Sequence, residues 1–184
     1  MKKTKFDFEV TPSDTGILGD AMGLSEEVSR DLFERFVGVV KHYLKGDLNP
    51  DLADMLYDIT ALGNTQAEAV MLAYGFGKMY EEELLGFTNL KSPVLTPPKT
   101  NPWVDKPLSG ETLRDAWRVS EGRVDEIVNK STDIVELINE ERTPKESDRI
   151  LGLLHTCKSM KELLFMSYSY GYVNRPNYPY NQNE

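Results

Sequence analysis

At 184 residues, 40% apolar, 28% charged and with a net charge of −9, the chain has the make-up of an ordinary soluble globular protein, long enough for one sizeable core or two small ones. Apolar runs of only a few residues exclude a membrane span, the N-terminus MKKTKFDFEV lacks the apolar stretch of a signal peptide, and a single cysteine, Cys157, excludes an internal disulfide framework and suits a reducing cytoplasm. Residues 1–90 carry 8 Lys+Arg against 16 Asp+Glu, and residues 91–184 carry 13 against 14, which argues against phosphate-backbone binding and leaves a basic partner or a solubilising surface.

Residues 1–23 read as an extended arm. Phe6, Phe8 and Val10 alternate with polar residues at the period of a strand, and Gly16, Gly19 and Gly23 loosen the chain after them. A lone strand needs a partner, so the arm is expected to lie on another part of the fold or on another subunit. Ser25 suits the N-cap of a first helix to Lys45, with Glu26 and Glu27 at its positive end and Gly46 as its stop. Its apolar residues fill about half the circumference, so it is expected to pack on two sides. Asn49-Pro50 reads as N-cap and first residue of a short second helix ending near Gly63, and Thr65 with Glu68 as the capping box of a third helix running to about Gly86.

Five prolines then make residues 87–109 an extended linker with Trp103 as its one large anchor. A long fourth helix is expected over 110–142, with an a/d seam of Leu113, Ser120, Ile127 and Ile134 against Trp117, Val124, Ser131 and Ile138, weakened by the two serines. Thr143-Pro144 with Glu146 restarts a helix, and Ser159 with Glu162 starts another that ends near Gly171. The tail NRPNYPYNQNE, residues 174–184, has no periodicity and reads as a flexible or docking peptide.

A shift of 94 residues superposes the punctuation. Asn49-Pro50 falls on Thr143-Pro144, Asp54 on Asp148, Thr65/Glu68 on Ser159/Glu162, and Gly77 on Gly171. This suggests two similar three-helix units, 24–77 and 118–171, each ending in a buried helix. In the first, Ala69, Ala73 and Gly77 form a small-residue stripe that lets another backbone come close; Ser167 and Gly171 keep matching places in the second. Gly75-Phe76-Gly77 is no phosphate loop, since no strand precedes it.

Candidate chemistry rests on carboxylates. PDLADMLYDI resembles the second acidic motif of the all-α nucleotide pyrophosphohydrolases, the MazG-like family. That resemblance implies Mg²⁺ held by Asp51 and Asp54, with Glu27 or Asp31 and Glu34 opposite; Arg30 stands where a third acid belongs in the first motif. The wheels point elsewhere: Glu27, Asp31 and Glu34, like Asp51, Asp54 and Asp58, lie opposite the apolar arcs and should face solvent. His155 and Cys157, two apart on a helix, point to different sides and lack further ligands, so a buried structural thiol is expected. A helix-turn-helix would offer TQAEAVMLAYGFGK, with one lysine, as its recognition helix, which cannot read nucleic acid.

The expected protein is all-α, a bundle of about six helices: an arm (1–23), a three-helix unit (24–86), a Pro-rich linker (87–109), a helical hairpin or second unit (110–173) and a tail (174–184). Its expected role is that of a non-enzymatic structural or adaptor protein within an assembly, such as a bacteriophage virion or accessory component, cytoplasmic or in the virion. It would contact protein partners or copies of itself through Phe6, Phe8, Trp103, Tyr178 and Tyr180, with no cofactor, nucleic acid or membrane. A Mg²⁺-dependent hydrolase and an acidic inhibitor of a basic partner are the alternatives.

Overall fold

The computed structural model describes residues 6–13, 16–45, 51–79, 86, 89–138, 140 and 143–175. Among these lie eight helices and no strand: α1 (Leu18–Ala21), α2 (Glu26–Lys45), α3 (Leu52–Thr60), α4 (Gln66–Met79), α5 (Leu113–Ala116), α6 (Glu121–Ile138), α7 (Glu146–Thr156) and α8 (Met160–Val173). The all-α bundle is as expected. No described helix is long and apolar enough to cross a membrane.

Helices α4 and α8 form the centre, and their contacts are reciprocal under the 94-residue shift. A Cβ on Gly77 would stand 2.0 Å from the carbonyl oxygen of Tyr168, and one on Gly171 would stand 2.1 Å from that of Tyr74. Tyr74 meets Tyr170 with ring centroids 5.8 Å apart, and Phe76 meets Tyr168 at 5.5 Å. Each pair maps onto the other when 94 is added to one residue and taken from its mate. The two capping boxes match as well. Thr65 Oγ1 accepts the Glu68 N–H at 3.2 Å while Glu68 Oε2 accepts the Asn64 N–H at 2.7 Å. Ser159 Oγ accepts the Glu162 N–H at 3.2 Å while Glu162 Oε2 accepts the Lys158 N–H at 2.6 Å. Buried residues from both halves belong to one apolar cluster.

At two buried positions a hydroxyl enters where the first half has a methyl group. Ser147 and Ser167 are buried with hydroxyls that have no hydrogen-bond partner, where the first half carries Ala53 and Ala73. Burying an unsatisfied hydroxyl is unfavourable, and the matching alanines show the space each site needs. Ser167→Ala and Ser147→Ala are therefore each expected to raise stability by about 1 kcal/mol, read as a higher urea midpoint with unchanged slope.

The short helices start two residues later than expected. Asp51 is the N-cap of α3, its carboxylate accepting the Ala53 N–H at 2.8 Å. Lys145 is the N-cap of α7, its own N–H donating to Asp148 Oδ2 at 3.0 Å. Pro144 thus precedes the cap instead of opening the helix; Asn49, Pro50 and Gly46 lie outside the described residues, as does the stretch 80–85 assigned from the sequence to the third helix.

The single fourth helix expected over 110–142 is two. Arg118 adopts φ +53°, the Val119 N–H returns to the Arg114 carbonyl at 3.1 Å, and the turn buries Trp117 and Val119. A left-handed arginine costs about 1 kcal/mol, which burial of the indole offsets; its Nε1 donates to the Ala53 carbonyl at 3.4 Å. Ser120 is no seam residue: it precedes α6, and its Oγ accepts the Arg123 N–H at 3.3 Å. On α6 the buried positions are Ile127, Ser131 and Val135, spaced by four, so the heptad seam does not form.

The arm's alternation becomes burial without pairing. Phe6 and Val10 enter the core of their own chain, the Asp7 N–H donates to Gln66 Oε1 at 2.9 Å, and the Thr11 N–H to the Ala21 carbonyl at 2.9 Å. The described part of the Pro-rich segment, residues 89–109, contains no helix and straps down the first half. A Cβ on Gly38 would stand 2.6 Å from Leu95, whose N–H donates to the Gly38 carbonyl at 3.0 Å. Lys41, buried on α2, donates from Nζ to the carbonyls of Leu90 and Ser92, the latter at 2.8 Å. Lys41→Met would leave those carbonyls without their donor, so limited proteolysis within residues 89–100 should speed up severalfold while the helical circular dichroism is retained.

Candidate functional site

The carboxylates singled out in the sequence stay apart. Glu27 and Glu34 are exposed; Asp31 is exposed and paired with Arg35 at 2.9 Å; Asp51 is occupied as a helix cap; Asp54 is half-buried. No group of three or more His, Cys, Asp or Glu side chains among the described residues is placed to hold a metal ion. Asp58, expected to face solvent, instead accepts a hydrogen bond from the Tyr43 hydroxyl, which joins α3 to α2. Burial pushes the Asp58 carboxyl above its usual range, with the bond from Tyr43 pulling the other way. Cys157 is buried at the end of α7, as expected of a structural thiol, and burial pushes it up to about 12. His155 is exposed.

Two of the residues expected to bind partners are used internally. Phe6 is only 6% exposed, so it is not available to a partner in this conformation; Phe8 is half-buried beside it, ring centroids 6.4 Å apart. Trp103 is half-buried, donating from Nε1 to the Gly63 carbonyl at 3.1 Å, and its N–H is held by Asn101 Oδ1 at 2.8 Å. Asn101 in turn binds the Tyr57 carbonyl at 2.7 Å and Thr60 Oγ1 at 2.9 Å. The strap therefore caps the C-terminal end of α3. Tyr178 and Tyr180 lie outside the described residues.

What the sequence reading missed is a groove between α6 and α8. Each half has such a groove: Leu72, Gly75, Phe76 and Met79 of its α4 wall correspond to Met166, Ser169, Tyr170 and Val173 of the α8 wall, while Met71 adds to the first wall alone. The first is narrow, about 160 Å³, because α2 offers Leu32, Phe33 and Phe36, and the Phe36 ring stands edge-on to Phe76 at 6.1 Å. The second is open, about 360 Å³. Its opening follows from how α6 sits. Gly152 of α7 lacks a side chain, so α6 comes down on α7 until a Cβ there would be 2.8 Å from the Ser131 carbonyl. Ser131 and Thr156 lock that contact with an Oγ–Oγ1 hydrogen bond of 3.2 Å. At the matching place in the first half stands Asp58, which holds α2 off through Tyr43. Drawn toward α7, α6 leaves the α8 face uncovered.

The groove is apolar along Val124, Val128 and Val135 on one side and Met166 and Val173 on the other, with Leu153 as floor. Val128 is 46% and Val173 48% exposed. Tyr170 takes the place of Phe76, with the Arg149 guanidinium over its ring at 5.9 Å; burial pushes its hydroxyl up to about 12. The outer face of α6 carries exposed Asp125, Asp133 and Glu136. The sequence signal for all this was weak: two exposed valines on separate helices, and an α6 without a single aromatic residue. Comparison with protein-family models, with curated proteins and with solved structures gives no match to this chain.

Proposed function

We propose that this protein is a non-enzymatic helical scaffold that works within a protein assembly by holding a protein segment in the groove between α6 and α8. The observation that carries this reading is the contrast between the two halves: the same groove is narrowed by phenylalanines in one and stands wider, apolar and partly exposed in the other. An apolar concavity of this size with an exposed valine rim lowers its free energy when covered. The separated carboxylates give no counterweight in favour of metal-assisted hydrolysis.

The test is a photo-crosslinking side chain placed at Val128 in the producing cell. Discrete protein adducts that vanish when Ser169→Trp fills the groove support the scaffold. An absence of adducts, or Mg²⁺-dependent turnover of nucleoside triphosphates that is lost in Asp51→Asn, would overturn it.

A further inference from the structure

The groove between α6 and α8 is lined by a single charged side chain, and it is a cation. Apart from Arg149, its lining residues are apolar or carry hydroxyls, and no carboxylate is among them. The narrow groove of the first half is lined by no charged residue, and the position 94 places before Arg149 is Met55, buried in the core. The cation therefore belongs to the wide groove alone. The acids beside it in sequence are engaged elsewhere: Glu146 pairs with Lys78 at 2.7 Å, and Asp148 is buried and accepts the Lys145 N–H at 3.0 Å. Among the described residues no ion pair includes Arg149, whose guanidinium lies over the Tyr170 ring at 5.9 Å.

Arg149 stands at one end of the groove. Thr156 bonds to Ser131, and Gly152 meets Ser131 and Val135, so α7 runs back along α6 and Arg149, nearer the start of α7, lies at the Val135 end. Arg123 joins the start of α6 to Glu162 at the start of α8, which puts Val124 and Met166 at the other, wholly apolar end. Between them the groove follows α6 for about 16 Å. A segment laid along that length takes the apolar walls out of water, which is favourable, but it also covers the guanidinium. Covering a cation is costly unless an anion meets it, and a carboxylate matches the planar fork of an arginine with two parallel hydrogen bonds. The net charge of −9 favours one carboxylate over a doubly charged group, and a partner of different charge over a second copy of the same acidic chain.

We propose that the segment held between α6 and α8 belongs to another protein and is an aliphatic stretch with an aspartate or glutamate at one end, its carboxylate paired with Arg149. This rests on the scaffold reading above and names the chemistry of the segment held. Aliphatic side chains supply the contact along Val124, Val128 and Val173, and the ion pair fixes which way round the segment lies.

The experiment uses the full chain with the photo-crosslinking side chain at Val128, in the producing cell, and varies position 149. Arg149 is exposed, so Arg149→Lys and Arg149→Met should melt as the parent does by circular dichroism. Adduct yield should fall at least fivefold in Arg149→Met and largely return in Arg149→Lys. The adducted segment, sequenced by mass spectrometry and made as a synthetic peptide, should bind the full chain in fluorescence anisotropy. Changing its acidic residue to the amide should weaken binding at least tenfold, and changing it to lysine should restore binding to Arg149→Glu. The peptide variants keep the test valid should a protein variant fold poorly. Adducts undiminished in Arg149→Met, or an amide peptide that binds as tightly as its parent, would overturn this inference while the scaffold reading stands. Adducts at twice the mass of the chain, made of its own peptides, would put a second copy in the groove and overturn it too. An absence of adducts with Arg149 in place would remove the scaffold reading and this inference together.

Discussion

Gly77→Ala is expected to destabilise the fold by about 3 kcal/mol, the upper end of overpacking costs, whereas Gly75→Ala, two residues earlier on the same helix, should stabilise it by up to about 1 kcal/mol. In an exposed helix interior, alanine replaces glycine favourably because the unfolded chain loses freedom. Nothing lies within 4 Å of a Cβ at Gly75, so only that gain operates there. At Gly77 the new methyl would sit 2.0 Å from the Tyr168 carbonyl oxygen and 2.8 Å from the Tyr172 nitrogen. Those are backbone atoms of α8, and no side chain can rotate out of the way. The two central helices would have to separate, loosening the tyrosine and phenylalanine pairs between them. In a chain of this length the loss corresponds to about 6–12 °C in Tm.

Gly171→Ala should cost as much as Gly77→Ala, because its contacts with the Tyr74 carbonyl and the Lys78 nitrogen are the same contacts seen from the other helix. The double variant should cost clearly less than the sum, since one separation of α4 from α8 relieves both clashes. Thermal melts of the three variants and the double variant read out all four expectations. Equal effects at Gly75 and Gly77, or strict additivity of Gly77 and Gly171, would mean that the helices do not meet at this crossing.

How much of this was legible depends on how local each cause is. The capping boxes at Thr65/Glu68 and Ser159/Glu162 and the small-residue stripe of α4 are readable in the sequence, because a cap needs only four residues and a stripe only one helix face. The starts of α3 and α7 lie two residues past the expected ones: Asp51 caps as well as Asn49 would, and Lys145, which does not cap through its side chain, starts α7 because Asp148 takes its N–H. The two serines in the expected heptad seam were the sign that the seam was wrong. Ser120 caps a new helix, and Ser131 bonds to Thr156 across a helix pair. Periodicity alone could not separate those roles from weak seam positions. The groove was beyond reach because its width depends on Gly152 meeting Ser131 where the first half has Asp58 meeting Tyr43. That contrast lies in tertiary packing, and each residue by itself carries no trace of it.

Arg123→Met should be the most damaging single charge removal, at about 3 kcal/mol near neutral pH, and it should flatten the acid side of the stability curve. The Arg123 side chain is 14% exposed and binds Glu162 through Nε at 2.9 Å and Nη2 at 3.1 Å, Glu126 through Nη1 at 2.7 Å, and the Thr156 carbonyl through Nη2 at 2.9 Å. It thereby ties the start of α6 to the end of α7 and to the capping carboxylate of α8. Arg35 reaches the matching carbonyl, Leu62, in the first half at 2.6 Å, and among the described residues it pairs with one carboxylate, Asp31. Methionine would keep most of the stem's packing while leaving Glu162, itself 15% exposed, with the Lys158 N–H as the remaining hydrogen bond to its carboxylate.

The pH dependence follows from the same contacts. Burial by itself would raise the Glu162 carboxyl, but the hydrogen bonds from Arg123 and the Lys158 N–H outweigh it and hold the group below its ordinary range. Glu126 is held down to about 2 by the ammonium of Lys130 and then by Arg123. A carboxyl lowered in the folded state stabilises the fold at pH values above its unfolded pKa of about 4.3, and that contribution disappears as pH falls through the folded value. Urea unfolding measured from pH 7 down to pH 2.5 should therefore show wild-type stability falling steadily below about pH 5. In Arg123→Met the curve starts lower and falls less, since its carboxyls sit nearer their unfolded values. Glu162→Gln should remove part of the slope while leaving Arg123 bound to Glu126 and Thr156. An unchanged slope in Arg123→Met would show that other carboxylates set the acid limit of this fold, and that the arginine between α6, α7 and α8 acts only through packing.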